Sequence, residues 1–127
     1  MNISERLNAM RQTDPECNLV AFGDLGTRLV LRSSAAIQHP QEYLDKLCVQ
    51  AKHGFEQQDL LWQQDTSDAV DEVLVITPHE TRVYVRSPKA GDPVDNDAIL
   101  CVGQAGQNTQ QLITQAKALL NDLSGTV

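Results

Sequence analysis

The chain has 127 residues, 41% of them hydrophobic but only five aromatic, and a formal charge of -7 from ten Lys and Arg against seventeen Asp and Glu. That length fits one compact domain over residues 1–127, and the acidity, with a pI near 4.7, excludes the positive surface that nucleic acid or anionic lipid requires. No apolar run reaches the roughly eighteen residues of a membrane span, and the polar opening Met1-Asn2-Ile3-Ser4-Glu5-Arg6 is unlike a secretory signal, so a soluble, cytoplasmic protein is expected.

Ile3, Leu7 and Met10 recur at i, i+4 and i+7, one stripe of an amphipathic helix over residues 2–12. Pro15 ends it by pushing Asp14 out of the helical region. Two apolar runs follow, 17–22 and 28–33. Gly23-Asp24-Leu25-Gly26-Thr27 lies between them and has the composition of a hairpin turn. After a connector over 33–39, Pro40 suits a first helical turn, and Leu44, Leu47, Cys48, Ala51 and Phe55 repeat at spacings of three and four. Residues 56–71, rich in Gln and Asp around Leu60-Leu61-Trp62, either extend that helix or fold as a loop against the core. Residues 72–77 and 81–86 read as a second hairpin turning at Pro78-His79-Glu80. Two prolines, a glycine and three aspartates make 87–97 an exposed loop. Residues 98–102 form a fifth strand. The turn 103–107 leads to a helix capped by Asn108 or Thr109, with Leu112, Ile113, Ala116, Leu119, Leu120 and Leu123 on one face and Gly125 past its end. The order α-β-β-α-β-β-β-α predicts an α+β fold, a five-stranded, mostly antiparallel sheet flanked by helices.

Few residues suggest chemistry. Cys17, Cys48 and Cys101 are odd in number and sit in apolar stretches, so they read as small buried hydrophobes. His39, His53 and His79 hold no metal-ligand spacing with them, and no metal or cofactor is expected. A Gly103-x-x-Gly106 turn before a helix invites a phosphate, but it lacks the lysine of a P-loop and the G-x-G-x-x-G spacing, so it reads as a tight strand-to-helix turn. The aspartates of residues 92–97 lack a calcium-loop register. No catalytic triad or carboxylate pair can be argued from spacing, so no enzyme activity is expected.

Period-two alternation sets Arg28, Val30 and Arg32 on one strand face, and Arg82, Tyr84 and Arg86 on another. Either these are solvated or helix-facing arginines, paired with acids such as Glu42 or Asp45, or they form a basic surface for an acidic protein partner. The second alternative makes Arg28, Arg32, Arg82, Tyr84 and Arg86 candidate partner-binding residues. Trp62, the sole tryptophan, is either an interface anchor or a lid over the core. Residues beside the apolar stripe of the middle helix, such as Tyr43, are placed to face a second subunit.

The element order, Gly23-Asp24-Leu25-Gly26 before Arg28-Leu29-Val30-Leu31, the following Ser33-Ser34, and Ala98-Ile99-Leu100-Cys101-Val102 before a Gly-rich turn and Asn108 together resemble the roadblock/dynein light-chain family. The resemblance spans about residues 3–123 and rests on pattern rather than on one motif. Residues 56–71 depart from it, being longer and more polar than the family's usual link. The resemblance implies a non-enzymatic scaffold. Such proteins dimerise through the middle helices and the third-strand edge, which makes Tyr43, Lys46, Gln50, Trp62, Val73 and Val75 candidate dimer-interface residues here. It also implies a small Ras-like GTPase, or a motor or signalling complex, as partner. A small-molecule sensor or binding module on a related sandwich is the alternative function.

Overall fold

A computed structural model describes residues 2–61, 71–87 and 96–124. Helix α1 (Ile3–Thr13) starts at Asn2, whose side chain accepts the Glu5 N–H at 2.9 Å and so satisfies one of the free N-terminal amides. Strands β1 (Cys17–Asp24) and β2 (Leu29–Ala35) form the first hairpin. Helix α2 (Gln41–Leu61) runs 21 residues, so the helix continues past the last buried position, Phe55, to the exposed Leu60 and Leu61. Strands β3 (Glu72–Ile76) and β4 (Glu80–Arg86) form the second hairpin, which Thr77 closes by accepting the N–H groups of His79 and Glu80 on its hydroxyl. Strand β5 (Asp97–Gln104) and helix α3 (Gln110–Ser124) complete the chain. Asn108 accepts the Gln110 N–H at 3.0 Å, and the Thr109 carbonyl accepts the first helical bond from Ile113.

The five strands make one antiparallel sheet in the order β2-β1-β5-β4-β3. Its helices divide between the two faces, because the inner strands are apolar on both sides. Leu19 and Ala21 of β1, Tyr84 of β4 and Leu100 of β5 pack against Leu44, Leu47, Cys48, Ala51 and Phe55 of α2. Val20, Val83, Val85, Ile99 and Cys101 point the other way, to Leu7 and Met10 of α1 and to Leu112, Ala116, Leu119 and Leu120 of α3. All three cysteines are reduced and buried. This arrangement is the α+β fold the periodicity predicts.

One strand departs from simple alternation. A bulge between Phe22 and Gly23 shifts the β1–β2 register, pairing Phe22 with Arg32 but Gly23 with Val30. Leu31 is the extra residue. Val30 therefore turns inward to α2 while Leu29 and Leu31 remain about half exposed. Arg28 lies before the strand rather than in it, at φ 63°, with its N–H bonded to the Asp24 carbonyl at 2.8 Å.

Candidate partner-binding surface

A sheet with two edges must satisfy or expose two rows of backbone groups. At the start of β2, side chains cap the edge. The Val30 N–H donates to Asp45 Oδ1 at 2.9 Å, and its carbonyl accepts Gln41 Nε2 at 2.9 Å. Gln41 and Asp45, one helical turn apart on α2, also bond to each other at 2.9 Å. The Leu31 carbonyl accepts Nη1 of Arg32 at 2.8 Å.

The β3 edge is different. The Arg86 N–H bonds the Asp71 carbonyl at 2.9 Å, and the Thr77 N–H bonds the Glu80 carbonyl at 3.0 Å. Antiparallel pairs alternate, so Val73 and Val75 also bond β4, and the N–H and C=O groups of Glu72, Leu74 and Ile76 point away from it. The Glu72 carbonyl accepts Gln58 Nε2 of α2 at 3.1 Å. No side chain among the described residues caps Leu74 or Ile76. Both are also exposed as side chains, at 42% and 73%. On the opposite face Val73 and Val75 pack partly against the α2 core.

Beside this edge, a groove of about 520 Å³ runs between α2 and β4, lined by Tyr43, Lys46, Leu47, Gln50 and Arg82 among others. Its floor is organised by Gln50, whose Oε1 accepts Nη1 of Arg82 at 2.9 Å and the hydroxyl of Tyr84. Arg82 is also paired with Glu80. Burial pushes the Tyr84 hydroxyl up to about 12, so it is a donor at neutral pH. At the entrance Tyr43 stacks on His39 with ring centres 4.6 Å apart, and Lys46 pairs with Glu42 at 3.5 Å on the open surface.

This architecture coincides with known structures over nearly its whole length. A Roadblock/LC7 domain from Streptomyces avermitilis superposes with a TM-score of 0.75 at 10% identity, covering 98% of this chain and 97% of that one. The chain folds as a roadblock-like domain. MglB of Myxococcus xanthus gives a TM-score of 0.72 at 8% identity, covering 97% and 92%. An MglB with tetrameric arrangement gives 0.70 at 15%, covering 97% and 88%. No family model and no curated relative matches the sequence.

Within the roadblock-like domain, the five residues grouped as a basic surface separate. Arg82, Tyr84 and Arg86 do share a face, but α2 covers it. Tyr84 is fully buried, and Arg86 is 5% exposed, held by Asp59 of α2 at 2.7 Å, by Asp71 at 3.4 Å, and over the Phe55 ring at 4.6 Å. Neither is part of an outer surface, which corrects that expectation. The helix-facing ion pair is real, with Asp59 as the acid rather than Glu42 or Asp45. Arg82 is half-buried, and Arg28 and Arg32 are exposed.

Of the interface candidates, Tyr43, Lys46 and Gln50 come together in the groove, while Val73 and Val75 lie on the adjoining edge strand. Trp62 lies outside the described residues. The Gly103–Gly106 turn is filled by protein: Gln107 lies against Gly103, where a Cβ would meet its Oε1 at 1.5 Å, and its Nε2 donates to the buried Asp14 at 2.8 Å. Two of the thiols are held protonated: burial and nearby Asp45 push Cys48 to about 11, and the hydrogen bond to Cys17 together with full burial raises Cys101 well above its ordinary value, while the same bond lowers the buried Cys17.

Sequence reasoning missed Leu74, Ile76 and the Gln41–Asp45 cap. The continuous β-rich run of 73–76 signals a strand, yet its composition cannot say which strand is an edge. A Gln and an Asp four apart near a helix start do signal side chains free to bond a neighbouring backbone.

Proposed function

We propose that this roadblock-like domain is a non-enzymatic, dimeric scaffold that binds a small Ras-like GTPase or another protein partner. The contrast between the two sheet edges carries the reading. One edge is capped by side chains at Val30 and Leu31, through Gln41, Asp45 and Arg32, as natural sheets protect edges they do not use. The other leaves the apolar side chains of Leu74 and Ile76 exposed, with no cap on their outward backbone among the described residues. An edge of that kind is a site of strand addition, and a second copy supplies the matching strand. Tyr43, Lys46, Gln50, Val73 and Val75 then belong to the dimer contact. The similarity to an MglB with tetrameric arrangement supports self-association.

The partner surface narrows to Arg28 and Arg32, exposed beside the half-exposed Leu29 and Leu31. In a chain of charge -7, two arginines flanking apolar side chains suit an acidic protein surface. The test is capture of a Ras-like GTPase from the native host by the tagged chain, repeated with R28E/R32E. Recovery of the GTPase with at least ten-fold weaker capture by the variant is expected. Equal capture by both would remove the assigned surface, and no GTPase at all would contradict the partner class.

A further inference from the structure

We infer that the far end of β2, from Arg32 to Ala35, takes up an extended acidic segment of a protein partner as an added strand, which rests on reading Arg32 as a partner-binding residue and names what that partner presents. Charge points to the place. Arg6, Lys46, Arg82, Arg86 and Lys117 each have a carboxylate partner within the chain. Among the described residues, the cations without one are Lys52 of α2 and Arg11, Arg28 and Arg32. The arginines all lie along β2: Arg28 leads into it, Arg32 belongs to it, and Arg11 donates from α1 to the Ser34 hydroxyl at 2.9 Å. In a chain with seventeen acids against ten bases, arginines gathered without acids mark where carboxylates from outside fit.

The backbone there is open as well. The Ala36 N–H bonds the Asn18 carbonyl at 2.9 Å. By antiparallel alternation Arg32 and Ser34 then bond β1, and the N–H and C=O groups of Ser33 and Ala35 point away from the sheet. No group among the described residues caps them. The caps from Gln41, Asp45 and Arg32 stop at Val30 and Leu31. They exclude a strand running the whole length of β2 and leave room for a short one. A second copy is a poor occupant, since a two-fold axis here would set the same arginines against themselves.

Side-chain alternation sets what the segment carries. Arg32 pairs with Phe22 and Ser34 with Val20, both on the α1 side of the sheet. Segment residues opposite Arg32 and Ser34 therefore lie beside the guanidinium groups of Arg32 and Arg11. Residues opposite Ser33 and Ala35 fall on the α2 side, over a cavity of about 330 Å³ lined by Ser33, Ala35, Gln38, His39 and Gln41 among others. Its hydroxyl, amide and imidazole groups suit a small polar side chain. The fitting segment alternates, with carboxylates toward α1 and small polar groups toward α2.

A fluorescein-labelled peptide of four Thr-Glu repeats is the probe, titrated with the full chain by fluorescence anisotropy. A block peptide of four Thr followed by four Glu has the same charge without the alternation. The alternating peptide is expected to bind more tightly than the block peptide by about ten-fold or more, and R11E/R32E and A35P should each weaken it by about as much. A35P removes an outward N–H that β1 does not use, and edge strands accept proline there, so its circular dichroism should match the parent's. Equal binding of the two peptides, or unchanged binding by either variant, overturns strand addition. A change in the chain's own sedimenting mass on A35P makes a second copy the occupant and overturns it too. No peptide binding by a chain that still captures a GTPase overturns the added strand and leaves the partner reading standing. Peptide binding without GTPase capture supports the added strand and removes only the GTPase as partner class.

Discussion

Arg86 shows how a side chain that looks like surface charge becomes an internal strut. Its guanidinium lies over Phe55 and reaches Asp59 on α2 and Asp71 before β3, so it ties the end of the helix to the edge hairpin. Period-two alternation places it on the same face as Tyr84. It does not say that α2 lies over that face, since the covering element is chosen by tertiary packing. R86A should lower stability by about 2 kcal/mol, less than the roughly 3–5 kcal/mol of a fully buried broken pair, because both aspartates are part-exposed and regain water. R86K should recover part of this, as it keeps the charge but loses the planar fork. Urea unfolding checks both, and an unchanged midpoint for R86A would contradict the strut.

Tyr84 and Cys48 give the domain an alkaline limit. Burial raises their folded-state values to about 12 and about 11, against 10.0 and 9.0 ordinarily. The unfolded chain therefore loses these protons first, and stability falls as pH rises. The full contribution is present below about pH 9 and is lost through about pH 9–12, on the order of 2–3 kcal/mol for each group. Denaturation at about pH 8 and about pH 11 should show the drop, and Y84F should lose the tyrosine part of it.

At the scale of elements, the two edges carry the functional argument. The α2 side chains that cap β2 are Gln41 and Asp45, both within the first helical turn and a half. D45A frees the Val30 N–H and should cost about 1 kcal/mol, with faster hydrogen exchange at that amide and no change at Leu74. Equal protection in the variant would mean that Asp45 does not hold the edge. The strands themselves are legible because their apolar runs are bounded by Gly, Pro and Asp clusters. The bulge at Leu31 is not, because a bulge arises from the fit of two strands and leaves no mark in either one alone. That slip is why Val30, between two exposed arginines, points inward.

For the whole molecule, element order and antiparallel pairing follow from the sequence with the boundaries moved by one to three residues, apart from the longer extension of α2. The core follows too, since the stripes of α2 and α3 are the buried residues. The charge of -7 gains a layout: Arg82 and Arg86 are internally paired, and Arg28 and Arg32 are the strand-associated cations left outside. Among the described residues no helix is long and apolar enough to cross a membrane. What the residue pattern of a single sequence could not contain is the second subunit, and so only the family resemblance pointed to the third-strand edge.

Sedimentation equilibrium of the chain beside L74K tests the central claim most directly. The account predicts twice the 14.0 kDa chain mass for the parent chain across micromolar concentrations, with L74K shifted to the single-chain mass while remaining folded. A parent chain that sediments at 14.0 kDa, or a dimer that L74K leaves intact, would contradict it.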